Sequence, residues 1–112
     1  MVVTDVAGEG GQETVRLVQA DGGAATFVQM DVSKAAEVEQ GVRVAMQTYG
    51  GLHILYNNAA MWKPGFDNRV IELEESAWDK ILSVNLKGVY LCCKYGIPEL
   101  IKKMGEHAIE FN

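Results

Sequence analysis

Short apolar runs alternate with amphipathic stretches along this chain, and glycines or polar turns separate them. Apolar runs between turn signals predict buried strands, whereas apolar residues spaced three and four apart predict helices. The runs predict three strands, at residues 1–6, 25–30 and 52–56. The spaced stretches predict three helices, at residues 12–20, between Ser33 and Tyr49, and from about Ser76 onward. The chain therefore alternates strand and helix throughout.

Regular alternation of this kind is typical of an α/β domain, in which right-handed crossovers join parallel strands. The strands are almost continuously apolar, as expected where helices cover both faces of a sheet. No repeat, low-complexity tract or linker divides the sequence. We therefore expect one domain over residues 1–112, with three strands and three helices in a doubly wound parallel sheet.

The last predicted helix has an apolar stripe with one amide inside it. Asn85 lies in the middle of that stripe, and three lysines lie on the opposite side of the helix. A buried amide without partners costs about 1–3 kcal/mol, so Asn85 should bond a neighbouring carbonyl, a water or a functional group. The spacing leaves a structural and a functional role open. The stripe consists of Trp78, Leu82, Asn85, Val89, Cys92 and Gly96, and the lysines are Lys80, Lys87 and Lys94.

Composition narrows the class of protein. A net charge of -5 and a pI near 4.9 argue against nucleic acid as the main partner. No apolar run approaches the ~20 residues of a membrane span, and the N-terminus lacks the order of a signal peptide. Cys92 and Cys93 are adjacent, which disfavours a disulfide between them and makes a reducing cytoplasm the expected compartment. His53 and His107 are isolated, and no cluster has the spacing of metal ligands.

Polar side chains follow each predicted strand. Asp5 ends the first strand, Asp31 the second, and Asn57-Asn58-Ala59-Ala60 the third. In open α/β sheets the carboxyl ends of the strands form the edge at which ligands bind. The same residues also suit turns: Asp5 could cap the following turn, Asp31 could precede a helix cap at Ser33, and the asparagines could close a turn. We expect Asp5, Asp31 and Asn58 to lie at one edge of the sheet.

Four marks in this order resemble the classical short-chain dehydrogenase/reductase family, from Val2 to about Met104. They are Asp5, Asp31-Val32, Asn57-Asn58-Ala59-Ala60, and Asn85 within Val84-Asn85-Leu86-Lys87-Gly88-Val89, with Trp78 before it. The resemblance implies a partial Rossmann-type sheet that binds a nicotinamide dinucleotide. The expected strand order is then second, first, third.

The resemblance also assigns roles at the adenosine end of the cofactor. Asp5 would bond the ribose hydroxyls, and its charge would repel a 2′-phosphate, which favours NAD over NADP. Asp31 would accept a hydrogen bond from the exocyclic amine of adenine. The backbone of Val32 would lie beside the adenine ring.

The resemblance also implies roles for residues 57–60 and for Asn85. Asn58, Ala59 and Ala60 would pass the cofactor ribose, although the family usually has glycine where Ala60 stands. Asn57 would tie neighbouring strands together. Asn85 would be the asparagine that interrupts the helix and holds a water in the proton relay.

Two hallmarks of the family find no match. The glycine-rich turn Thr-Gly-x-x-x-Gly-x-Gly is absent, and Gly8-Glu9-Gly10-Gly11 does not replace it because a third glycine in phase is lacking and Glu9 would repel phosphate. The catalytic serine and the Tyr-x-x-x-Lys segment are also absent. Tyr90 and Lys94 have that spacing, but they lie on the solvent side of the Asn85 helix, so we interpret the match as coincidence.

We therefore expect an internal fragment of an NAD(P)-dependent oxidoreductase, which transfers hydride between an alcohol or carbonyl substrate and nicotinamide. The isolated chain should be inactive and should bind NAD weakly or not at all. Trp62 and Phe66, in the loop from Met61 to about Glu75, would flank the pocket for the small-molecule substrate, or they could be exposed loop aromatics that pack locally.

Two other classes stay open. An interaction protein could pair through the long helix with itself or with full-length relatives, and the resemblance implies a homo-oligomer through that helix. A receiver-like signalling domain would need a lysine on a later strand, which the sequence lacks.

Overall fold

The computed structural model describes residues 1–62, 64 and 68–105, and it shows an α/β arrangement. Two strands, β1 (Val2–Asp5) and β2 (Thr26–Gln29), form a parallel pair in which Val2 lies opposite Thr26 and Asp5 opposite Gln29. The helices are α1 (Gly8–Ala20), α2 (Ala35–Tyr49), α3 (Glu75–Asn85) and α4 (Lys87–Met104). The predicted α/β class with parallel strands is confirmed, but the described part of the chain has two strands and four helices rather than three of each.

Helix α1 begins at Gly8, four residues earlier than predicted, because the glycines taken as breakers belong to it. Gly11 is buried where the helix crosses the sheet, and a Cβ at this position would overlap the Phe27 ring. A glycine inside a helix is unfavourable by propensity. Here it permits the helix to lie directly on β2, so packing decides the local structure.

The third predicted strand is wrong as a strand. Residues 52–56 form no ladder with β1 or β2 in the described structure, and the sheet order is simply β1–β2. An apolar run becomes a strand only when a neighbouring backbone pairs with it. Ile54 and Tyr56 are 81% and 83% exposed, whereas Leu52 and Leu55 approach α4 at Gly96. The expected order second, first, third holds for the first two strands only.

The single long helix of the prediction is two helices. Leu86 interrupts it with φ -111° and ψ -59°, and α4 continues from Lys87. Since leucine is a good helix former, propensity gives no sign of this break. The interruption lies directly after Asn85.

The core joins the end of β2 to α2 and α4. It contains Met30, Val32, Val38, Leu91 and Cys92, with Leu55, Val84 and Tyr95 packed against it. Gly88 is buried against Val32, where a Cβ would come within 2.6 Å of a Val32 methyl. The small residue therefore brings α4 close to the segment that follows β2.

The buried face of the helices is not the predicted stripe. Trp78 is 52% exposed, and Asn85 and Val89 are also exposed, whereas Cys92 and Gly96 are buried as expected. The break at Leu86 changes which side of the chain faces the core, so α4 instead buries Gly88 and Leu91. The three lysines, Lys80, Lys87 and Lys94, are exposed as predicted.

Candidate functional site

The carboxyl ends of β1 and β2 lie side by side. The N–H of Met30 donates to the Asp5 carbonyl at 3.0 Å, and the Gln29 side-chain amide donates to the Val6 carbonyl at 3.0 Å. Asp31 follows Met30 directly. The structure therefore brings Asp5 and Asp31 to the same end of the sheet.

An open hollow of about 410 Å³ lies at this end of the sheet. Its lining is mainly polar. Asp5 is not part of the lining, but the next residue, Val6, is. The lining residues are Val6, Gln29, Asp31, Lys34 and Glu37.

Asp31 is held in the wall of the hollow by Ser33. Its Oδ1 accepts the Ser33 N–H at 2.9 Å and the Ser33 hydroxyl at 2.6 Å. These bonds hold the pKa of Asp31 below its usual value, with smaller contributions from Lys80 and Lys34, although partial burial opposes them. Asp31 is therefore an ionised acceptor at neutral pH. Ser33 was expected to cap α2, but the capping position is Lys34, without a side-chain cap bond.

Glu37 joins the turn after β2 to the first turn of α2. Its Oε2 accepts the Asp31 N–H at 2.7 Å, and its Oε1 accepts a hydrogen bond from the Lys34 ammonium at 3.0 Å. The pKa of Glu37 is lowered first by the Asp31 N–H and then by Lys34. The sequence interpretation missed Lys34 and Glu37. The only signal for them is Glu37 itself, a glutamate at the third position of α2, where such a side chain can reach back to the backbone before the helix.

Asp5 makes a turn contact as well. Its Oδ1 accepts the Ala7 N–H at 2.8 Å just before α1, which realises the turn-capping alternative for that oxygen. Val32 is buried in the core, where it approaches Gly88. The segment after Asp31 is thereby anchored on one side.

The asparagine segment lies away from the hollow. Asn57, Asn58, Ala59 and Ala60 are exposed, and none of them lines it. The Asn57 amide donates to Cys93 Sγ at 3.6 Å, a contact with α4 rather than with a strand. The described structure thus groups Asp31 with Asp5 but does not bring Asn58 to the same hollow.

Asn85 bonds the backbone of one residue in both directions. Its Oδ1 accepts the Met61 N–H at 2.7 Å, and its Nδ2 donates to the Met61 carbonyl at 3.0 Å. Its expected burial is wrong, since the residue is exposed. The expected carbonyl partner is present, and the contact ties the end of α3 to the segment that follows Ala60.

A second hollow, of about 470 Å³, lies along the junction of α3 and α4. It is lined by Asp79, Leu82, Ser83, Leu86, Lys87 and Tyr90. Tyr90 is 56% exposed and carries the Lys94 ammonium 5.9 Å from its ring centre, which is a cation–π contact. Trp62 is 74% exposed, and Phe66 lies outside the described residues.

Within residues 1–62, 64 and 68–105, no group of three or more metal-binding side chains could hold an ion. Over the same residues, no helix combines the length and apolar character needed to cross a bilayer. Cys92 and Cys93 are free thiols, Cys92 buried and Cys93 partly so.

Comparison with known proteins gives consistent matches. Residues 1–109 match the family described as enoyl-(acyl carrier protein) reductase. An uncharacterized oxidoreductase of Thermotoga maritima is 38% identical over 105 residues, which are 94% of this chain and 40% of that protein. Dehydrogenase/reductase SDR family member 4 of Sus scrofa is also 38% identical over 105 residues, 94% of this chain and 37% of that protein.

Solved structures agree in fold. A short-chain dehydrogenase/reductase crystal structure from Burkholderia xenovorans superposes with a TM-score of 0.82 at 30% identity, covering 91% of this chain and 39% of that one. A gluconate 5-dehydrogenase from Burkholderia cenocepacia, crystallised with NADP and tartrate, gives a TM-score of 0.79 at 24% identity, covering 91% and 39%. This chain therefore spans about 40% of the length of the curated relatives it matches.

Proposed function

This chain belongs to the short-chain dehydrogenase/reductase family, and from that premise we propose that it forms the adenosine-binding part of an NAD-dependent oxidoreductase. The main support is the hollow at the carboxyl ends of β1 and β2, with the ionised Asp31 in its wall. Ligands of open α/β folds bind at such an edge. The relatives are oxidoreductases and dehydrogenases, and their chemistry supplies the rest of the proposal.

Asp31 fits the exocyclic amine of adenine. Ser33 satisfies Oδ1 twice, which leaves Oδ2 as an acceptor for an N–H group of a ligand. A carboxylate fixed by two hydrogen bonds loses little entropy when the ligand arrives. Val32, anchored in the core, would present its backbone beside the ring.

Asp5 would bond the adenosine ribose and favour NAD over NADP. One oxygen is engaged with the Ala7 N–H, so the other would serve the ribose hydroxyls. A 2′-phosphate placed at Asp5 would meet its carboxylate, and the hollow at the same end of the sheet adds the carboxylates of Asp31 and Glu37. Lys34 in the lining of the hollow is already bonded to Glu37. The balance of charge is therefore unfavourable for the 2′-phosphate of NADP.

The dinucleotide would supply hydride chemistry to an alcohol or carbonyl substrate. Asn58, Ala59 and Ala60 would pass the cofactor ribose, and Asn85 would hold a water of the proton relay. Asn85 would act indirectly. Its two hydrogen bonds fix the Met61 backbone, and that backbone would lie beside the water. We do not assign the acid/base pair to Tyr90 and Lys94, because both are exposed on α4 and neither lines the Asp31 hollow. In this proposal the isolated chain has no dehydrogenase activity.

The proposal is tested by Asp31→Asn. We expect at least about tenfold weaker binding of adenosine monophosphate, because the two Ser33 donors would hold the oxygen of the new amide and leave its NH2 group, a donor, facing the adenine amine. Amide NMR titration of the chain, following Ser33 and Lys34, measures the change. Asp21→Asn is the control, because that exposed carboxylate lies at the end of α1 and outside the hollow. Equal affinities in all three proteins would contradict the proposal.

A second candidate function is pairing through α4, and a specific surface favours it. Four large apolar residues spaced four and seven apart are exposed, three along α4 and one at the break just before it, and the first two of them line the second hollow. They are Leu86, Tyr90, Ile97 and Ile101. We propose that this surface meets the same helix of a second copy or of a full-length relative, so that the oxidoreductase is a homo-oligomer.

A further inference from the structure

Lys34 lies in the lining of the first hollow, where two carboxylates are within its reach. Its ammonium is 3.0 Å from Glu37 Oε1 and 3.9 Å from Asp31 Oδ2. Only the shorter contact is a hydrogen bond. Lys34 therefore bonds Glu37, although the Asp31 carboxylate is nearby and is the less exposed of the two.

Asp31 Oδ2, which Lys34 does not hydrogen-bond, is the oxygen that a ligand would need. Asp31 Oδ1 is satisfied by Ser33, so Oδ2 remains as the acceptor. Closing the 3.9 Å separation to a normal length of about 2.9 Å would put the Lys34 ammonium on that oxygen. The Lys34 ammonium, already in ion-pair range of Oδ2, would thus compete with a ligand N–H for this oxygen.

We propose that Glu37 keeps Lys34 away from Asp31 Oδ2 and thereby reserves this oxygen for the six-amino group of adenine. The inference rests on the proposed adenosine site and adds a specificity-determining residue to it. An exposed ion pair is weak by itself. Glu37, however, is fixed by the Asp31 N–H at 2.7 Å, so its second oxygen is already in place for Lys34.

The consequence is a choice between two purines. Adenine presents N–H donors at its six position, and hypoxanthine presents a carbonyl acceptor there. A free Oδ2 favours the donor, whereas an ammonium at the same point favours the carbonyl. The ratio of affinities for adenosine monophosphate and inosine monophosphate therefore reports the position of Lys34 rather than the stability of the fold. Lys80, the other cation that lowers the pKa of Asp31, is unchanged in this comparison.

The first variant is Glu37→Gln. It keeps the shape and an oxygen that can accept the Asp31 N–H, but it removes the charge that holds Lys34. Amide NMR titrations of the 112-residue chain with the two nucleotides should show a roughly fivefold fall in the preference for adenosine monophosphate, as for one hydrogen bond. Glu39→Gln is the matched control, since that carboxylate lies on the same helix, pairs with Arg43 at 3.4 Å and is outside the hollow.

The second variant is Lys34→Met in the Glu37→Gln background. Without the competing cation, the preference should return to the wild-type ratio. A preference that stays low would mean that Glu37 acts through the fold, and an unchanged ratio in Glu37→Gln would mean that Lys34 does not compete. Either result overturns the inference while adenosine binding by the wild type upholds the proposed function. A wild type that binds neither nucleotide at Asp31 removes both.

Discussion

At the scale of single residues, two neighbouring glycines of α1 differ in how closely they are packed. A Cβ on Gly11 would overlap the Phe27 ring, whereas nothing lies within 4 Å of a Cβ on Gly10. Alanine at each position therefore separates two effects on stability, the cost of a clash where α1 packs on β2 and the gain from higher helix propensity.

We expect Gly11→Ala to lower the free energy of unfolding by about 1–3 kcal/mol because the Phe27 ring must move. Gly10→Ala should raise it by roughly 0.5–1 kcal/mol because alanine favours the helix. Urea unfolding of both variants measures the difference. Equal effects of the two substitutions would show that α1 does not lie on β2 as described.

The Asp31–Ser33 contact predicts a dependence of stability on pH. Because the folded pKa of Asp31 is lowered, mainly by Ser33, the folded state binds fewer protons than the unfolded state. The stabilisation is present above the unfolded pKa of about 4 and is lost as pH falls through the lower folded value. Ser33→Ala should flatten the fall in stability between about pH 5 and pH 2.

The control for this prediction is Ser83→Ala, which removes a hydroxyl that donates to the Lys80 carbonyl and not to a carboxylate. It should leave the slope of stability against pH unchanged. A slope in Ser33→Ala identical to that of the wild type would refute the assignment of the pKa shift to Ser33.

At the scale of elements, periodicity predicted the β1–α1–β2–α2 order because each segment has a neighbour to pack on. It failed at residues 52–56, where a strand-like sequence has no ladder partner in the described chain. It also failed at Leu86, where the helix breaks although leucine is a good helix former. The position of Asp5 and Asp31 could be predicted because the ends of parallel strands meet at one edge of the sheet. Lys34 and Glu37 could not be singled out, because their spacing is ordinary for solvent-exposed helix pairs.

The junction of α3 with the segment after Ala60 depends on Asn85. We expect Asn85→Ala to accelerate hydrogen exchange at the Met61 amide and to cost about 1 kcal/mol of unfolding free energy, since two hydrogen bonds are lost near the surface. Asn68→Ala is the control, because Asn68 accepts only the N–H of the next residue, Arg69, in the described structure. Unchanged exchange at Met61 would contradict the role of Asn85.

At the scale of the whole molecule, the buried core is small and many large apolar side chains are exposed. A domain of this size has only a few kcal/mol of net stability, and apolar patches favour association. We expect a low melting temperature and self-association. Sedimentation should show Ile97→Lys to be more monomeric than the wild type, whereas Val70→Lys, also at an exposed apolar residue but outside α4, should leave association unchanged. A sharp melt from a strictly monomeric wild type would refute this expectation.

The central claim is that the Asp31 hollow binds the adenosine end of NAD, and a paired NMR titration with NAD and NADP tests it most directly. The account predicts weak NAD binding, too weak for micromolar affinity, with amide shifts concentrated at residues 5–7 and 31–34. It predicts smaller shifts with NADP, because the carboxylates of Asp5, Asp31 and Glu37 oppose the added phosphate. Shifts confined to other residues, or stronger binding of NADP at these ones, would contradict it.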